Sequence, residues 1–148
     1  MEKLLVKQTR EKIESLEKQL LASDHASIVK GNTESFPLKH SFSDGVYIRE
    51  MFMEKGGTVI GKLHKYSHTW FLMQGKIVVA TDLMNKTYTA PDYVNAPAGA
   101  KRVIHALEDS TFINVHPNPL ELRNIEELED MLTCTSYNDF DKYKQLKQ

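Results

Sequence analysis

The sequence predicts an all-β antiparallel barrel or sandwich with helices at both ends. Between residues 46 and 116, short runs rich in Val, Ile, Tyr, Phe and Thr recur at near-regular intervals, separated by Gly, Pro, Asn and Asp. Residues 2–22 instead form a stretch rich in Glu, Lys, Gln and Leu, without Gly or Pro, which is the composition of a helix. After Pro117-Asn118-Pro119 the strand pattern stops, because closely spaced prolines cannot continue a ladder, and helical spacing follows.

Taken in order, the N-terminal stretch repeats Val6, Ile13 and Leu20 at heptad spacing, with Leu16 at the complementary position. This suits either self-association or a helix packed on its own barrel. Residues 23–35 lack apolar periodicity and read as a loop, with His25 in solvent. Val46 to Glu54 is strand-like, and Lys55-Gly56-Gly57-Thr58 supplies a turn into Val59-Ile60. Trp70 to Gln74 and Lys76 to Thr81 flank Gly75 as a hairpin would. Tyr88-Thr89, Tyr93-Val94, Arg102 to Leu107 and Thr111 to His116 complete the strands. Near the C-terminus, Asn124 with Glu127 resembles a capping box ahead of Leu128, Met131 and Leu132, and Ser136 can start a helix around Phe140 and Tyr143.

A chain of 148 residues suffices for one core. Its expected segments are an N-terminal helix and linker over 1–35, a barrel over 36–117 and a helical tail over 118–148. The 19 basic and 20 acidic residues leave a net charge of −1, so no global field recruits a nucleic-acid polymer or an acidic membrane. The single cysteine, Cys134, cannot form an internal disulfide and has no nearby histidine to activate it. The run at Met1–Lys7 is too short for a signal core, and no stretch approaches the roughly twenty apolar residues of a membrane span. A cytoplasmic, soluble protein is expected.

The most informative stretch is Gly61 to Gly75, where His64 and His68 precede an apolar strand; Asn95-Ala96-Pro97-Ala98-Gly99 then leads into Arg102 and another β-rich run. These two segments resemble the paired signatures of the cupin superfamily, G-x5-H-x-H-x3/4-E-x6-G and G-x5-P-x-G-x2-H-x3-N. The resemblance covers roughly residues 45–116 and implies an RmlC-like jelly-roll barrel, or double-stranded β-helix, whose mouth holds a metal or a small ligand. Aligned on Gly75, Lys62 stands at the first motif histidine, His64 at the second and His68 at the glutamate. Aligned on Pro97 and Gly99, Arg102 stands at the second motif's histidine and Ala106 at its asparagine. The chain also resembles short phage-encoded cupins, through Ala106-Leu107-Glu108-Asp109 and Asn114-Val115-His116-Pro117. That likeness names no substrate. Small cupins commonly pair sheet edges, which implies a homodimer or higher homo-oligomer.

Strand parity puts Lys62, His64, Tyr66 and His68 on one face, unless a turn through Lys65-Tyr66-Ser67 interrupts it. Lys62, His64, Tyr66, His68 and Arg102 are therefore the candidate ligand-binding residues. In one reading, His64 and His68 ligate a divalent metal, with Zn, Fe, Ni, Mn or Cu all suited to imidazole. Such a site usually has at least three protein ligands. His116 is the candidate third, with His40 and His105 weaker, since His105 has the wrong parity relative to Arg102. In the other reading, Lys62, Arg102, His64 and His68 bind a phosphorylated, nucleotide or carboxylate anion without metal. Metal-independent cupins resembling nucleotide-sugar epimerases hold such ligands, but no His-Asp pair assigns an epimerase base here. Three functions stay open: a small-molecule-binding cupin with or without turnover, an anion-sequestering module, and an interaction protein with an inert barrel.

Overall fold

The computed structural model describes residues 1–22 and 36–147. The loop expected over 23–35, with His25, lies outside them. Helix α1 spans Glu2–Leu21. The strands are β1 (Leu38–Ser43), β2 (Val46–Met53), β3 (Thr58–Ile60), β4 (Leu63–His64), β5 (His68–Gln74), β6 (Lys76–Ala80), β7 (Asn85–Thr89), β8 (Asp92–Ala96), β9 (Val103–Ala106) and β10 (Ser110–Pro117). Helix α2 (Ile125–Leu132), strand β11 (Thr133–Cys134) and helix α3 (Tyr137–Leu146) follow. A five-stranded sheet in the order β1-β2-β10-β5-β8 faces a four-stranded one in the order β3-β9-β6-β7, and β4 pairs with β11. All pairings are antiparallel.

The hairpin expected around Gly75 does not form. β5 belongs to the larger sheet and β6 to the smaller, so the chain changes sheets at Gly75. The residue has φ +91°, and a Cβ there would collide with Ser110 and the Asp109 carbonyl. Only glycine combines that conformation with so close an approach. The β2 to β3 turn is likewise a crossing between sheets. A hairpin does form at Asp44-Gly45, where Ser43 pairs with Val46 and Gly45 takes φ +69°; such a dipeptide is a strong two-residue turn signal.

The barrel interior is graded along its axis by strand alternation. On β2 and β10, Met53 faces Ser110, Met51 faces Phe112, Arg49 faces Asn114 and Tyr47 faces His116. On the other side of β10, Phe112 pairs with Leu72 and Asn114 with Trp70. One end is therefore an apolar core, joined by Val59, Ile77, Val79, Ile104 and Ala106. The other end is polar, and that is where the histidines lie.

Helix α1 packs on its own barrel through the stripe that Val6, Ile13 and Leu20 mark, with Val6 and Leu20 half-buried. Ile13 is buried, while Leu4, Leu5 and Leu16 are exposed. The contacts that hold the helix are polar and recur at helical spacing: Arg10 Nε donates to Asp82 at 2.8 Å, Glu14 Oε1 accepts from the Tyr137 amide at 3.0 Å, and Glu17 takes the buried Lys101 ammonium at 2.7 Å. At the C-terminus, the side chains of Asn124 and Ser136 cap α2 and α3 by accepting the amides of Glu127 and Asp139. Asn118, fully buried, exchanges two hydrogen bonds with the Leu122 backbone. That clamp turns the chain so that Leu128 and Leu132 of α2 cover Tyr47 at the barrel's polar end.

Candidate functional site

Three histidines from three strands converge inside the polar end. His64 comes from β4, His68 opens β5 and His116 lies on β10; all are buried. Their ring centroids are 4.1 Å apart for His64 and His68, 4.8 Å for His68 and His116, and 5.3 Å for His64 and His116. One ligating nitrogen from each lies within 4.8 Å of the others. Small side-chain rotations would bring all three to one ion at the roughly 2.0–2.1 Å usual for imidazole.

Half of this nitrogen is unsatisfied by the described residues. Among the described residues, His64 Nδ1 and both ring nitrogens of His68 are buried without a hydrogen-bond partner. The Tyr66 backbone and the Asn114 amide face His68 and favour its charged form, but neither reaches hydrogen-bonding geometry. Burial, reinforced by the positive charge of Arg102, pushes His68 down to about 3 and His116 to about 4, and holds His64 well below its ordinary value. All three rings are thus neutral at physiological pH, the form that ligates metal.

Arg102 stands beside them, its guanidinium 3.4 Å from His64 Nε2 and donating to Asn114 Oδ1 at 2.9 Å. It also lies over the Trp70 ring, 5.9 Å from the centroid. Burial and the nearby charge of Arg49 lower its pKa to about 10, so it stays charged. A cavity of about 70 Å³ opens next to Arg102 and His64. On the far side of Arg102 and Trp70 lies a second cavity of about 270 Å³, capped by Arg10 of α1 and Phe140 and Lys144 of α3.

The other expected site residues take different places. Lys62 lies at the outer wall of the smaller cavity with its ammonium on Glu129 at 2.7 Å. Both side chains are well exposed, so Lys62→Met is expected to change stability by less than about 1 kcal/mol and to leave metal content unaltered, as urea titration and elemental analysis would show. Tyr66 falls in the break between β4 and β5; it is exposed and meets the edge of Tyr143. His105 bonds to Thr58 on the pairing of β3 with β9, and His40 bonds to the Tyr47 hydroxyl. Cys134 is buried in a small cluster with Leu63, Tyr137 and Phe140, and burial raises its pKa.

Sequence reasoning passed over Arg49 and left Asn114 without a role. The signal was present as parity: Arg49 alternates with Tyr47 and Met51, and Asn114 with Phe112 and His116, so both face the interior.

No family model matches this chain, and no curated protein matches it. Solved structures do. An RmlC-like cupin from Shewanella frigidimarina NCIMB 400 superposes with a TM-score of 0.51 at 16% identity, covering 60% of this chain and 81% of that one. A cupin superfamily protein from Desulfitobacterium hafniense DCB-2 gives 0.50 at 17% identity, over 62% of this chain and 85% of that one. The chain has the cupin fold. A cupin 2 domain-containing protein from Halorhodospira halophila gives the same score at 19% identity, over 55% and 62% of the two chains. At such identities the likeness concerns the barrel alone. What this cupin barrel does must be argued from its own side chains. Among the described residues, no helix is long and apolar enough to cross a membrane.

Proposed function

We propose that the protein is a small-molecule-binding cupin whose ligand meets a divalent transition metal held by His64, His68 and His116. One observation carries the reading: three buried imidazoles converge, and among the described residues His64 Nδ1 and both nitrogens of His68 lack a protein partner. An unsatisfied buried polar group costs about 1–3 kcal/mol, and coordination would relieve that cost. A donor set of neutral imidazoles suits Zn, Fe, Ni, Mn or Cu.

When bound, such an ion supplies Lewis acidity toward an oxygen of the small molecule. The chain's own residues prepare the place for it. Burial and Arg102 keep the rings unprotonated. Asn114 fixes Arg102 beside His64, and Tyr47 with Leu128 and Leu132 closes one side against water. Among the described residues β1 and β8 are the outer edges of the larger sheet, which supports association of two copies; light scattering that reads only monomer would remove that part of the proposal.

Elemental analysis of protein purified without an affinity tag tests the centre. Native protein is expected to carry close to one equivalent of metal, and the double variant His64→Ala/His68→Ala less than a tenth of that. Equal metal in both would end this reading.

A further inference from the structure

Arg102 is a buried charge without a counter-ion among the described residues. It is buried at 6% exposure, and its hydrogen-bond partners are the Asn114 amide oxygen and a histidine nitrogen. Among the described residues, no carboxylate forms an ion pair with it or with Arg49. Arg49 projects from β2 opposite Asn114 and lines the same cavity of about 70 Å³. Burial first, and the charge of Arg49 second, lower the pKa of Arg102. Glu129, the acidic residue on the wall, is engaged by Lys62. With Glu129 matched by Lys62, the two guanidinium charges face this small space in excess among the described residues, and a divalent ion at the histidines would add to it.

We propose that Arg49 and Arg102 clamp the carboxylate of a short, otherwise apolar organic acid in the cavity beside His64. The inference deepens the proposed function by naming its ligand class, and it uses the same site. Planar guanidinium forks match carboxylate oxygens. The apolar part of the wall selects against an anion that is polar all round. Met51, Val59, Ile104 and Phe112 form the apolar part of a wall that also includes Glu129 and Thr133, and a phosphate would turn acceptor oxygens toward the apolar part without partners. Size limits the acid to a few heavy atoms, since a cavity of about 150 Å³ is needed to hold benzene.

Trp70 is the chain's single tryptophan and touches the Arg102 environment, so its fluorescence reports the site. The probes are propionate, its uncharged isostere propionamide, and inorganic phosphate. Each is titrated into metal-loaded and chelator-stripped protein, by fluorescence and calorimetry. Propionate is expected to saturate, with propionamide and phosphate at least tenfold weaker. Arg49→Gln should weaken propionate at least tenfold while melting temperature and metal content stay at native values. Arg102→Lys, which keeps the charge and loses the fork, should fall between the two.

Equal affinity for propionate and propionamide, phosphate binding more tightly than propionate, or native affinity in Arg49→Gln would each overturn the clamp. Metal content is read separately. Stripped protein that still prefers propionate over propionamide upholds the clamp even if the histidines prove metal-free. Fully metallated protein that shows no preference removes the clamp alone.

Discussion

Chelator-stripped protein is expected to lose stability steeply as pH falls below about 6.5, where the imidazoles of an unfolded chain begin to protonate. Burial first, and the charge of Arg102 second, hold folded His68 near 3 and His116 near 4, with His64 also far down. In the window between these values and 6.5, the unfolded chain binds protons that the folded chain excludes. The unfolding free energy therefore falls with falling pH, by about 1.4 kcal/mol per pH unit for each imidazole and about 4 kcal/mol per unit for three together. Stability is full about one unit above 6.5, and the slope begins to flatten as His116 protonates near 4. Urea titrations between pH 7 and 5.5 measure this before most carboxylates titrate. Metal-loaded protein should fall more steeply, since protons then compete with the ion as well. A flat profile in stripped protein would mean that the rings are not held neutral.

The second large effect is expected at the seam between α1 and the barrel. Lys101 is 1% exposed, and its ammonium is held by Glu17 at 2.7 Å and the Gly61 carbonyl at 3.3 Å. Glu17→Ala leaves a buried charge without its counter-ion and is expected to cost about 3–5 kcal/mol. The double variant Glu17→Gln/Lys101→Met removes the charge as well and should recover most of that loss. Chemical denaturation of the three proteins measures both quantities. A loss below about 1 kcal/mol in Glu17→Ala would show that the helix is not anchored there.

The contrast between these two regions shows where sequence reading succeeds. The barrel strands were legible because a half-buried strand writes its environment into the chain with period two. Tyr47, Met51 and Met53 on β2, and Phe112, Asn114 and His116 on β10, repeat with that period and are buried. The capping signals at Asn124 and Ser136 were equally local, since each cap bonds an amide three residues on. Helix α1 was legible as a helix and in its apolar stripe, but not in its polar partners. Apolar spacing pointed to Val6, Ile13 and Leu20, which do lie on the covered side, but the seam is also made by Arg10, Glu14 and Glu17 with partners far along the chain. Ion pairs of that kind leave no periodic trace that separates them from a solvated face.

The sequence by itself determined that the chain is an antiparallel barrel with helices at both ends, and that His64, His68 and Arg102 deserve attention. Alternation, turn residues and motif spacing are all local, so one chain suffices to read them. Only the tertiary structure decided that the chain changes sheets at Gly75 rather than forming a hairpin, because that depends on Ser110 and Asp109 lying against the glycine. It also decided that His116 is brought to His64 and His68, that Lys62 and Tyr66 turn to the surface, and that Arg49 shares a cavity with Arg102. These are long-range facts. The register of β10 against β2 and β5 sets which side chains meet, and a shift of one residue would have faced all of them the other way.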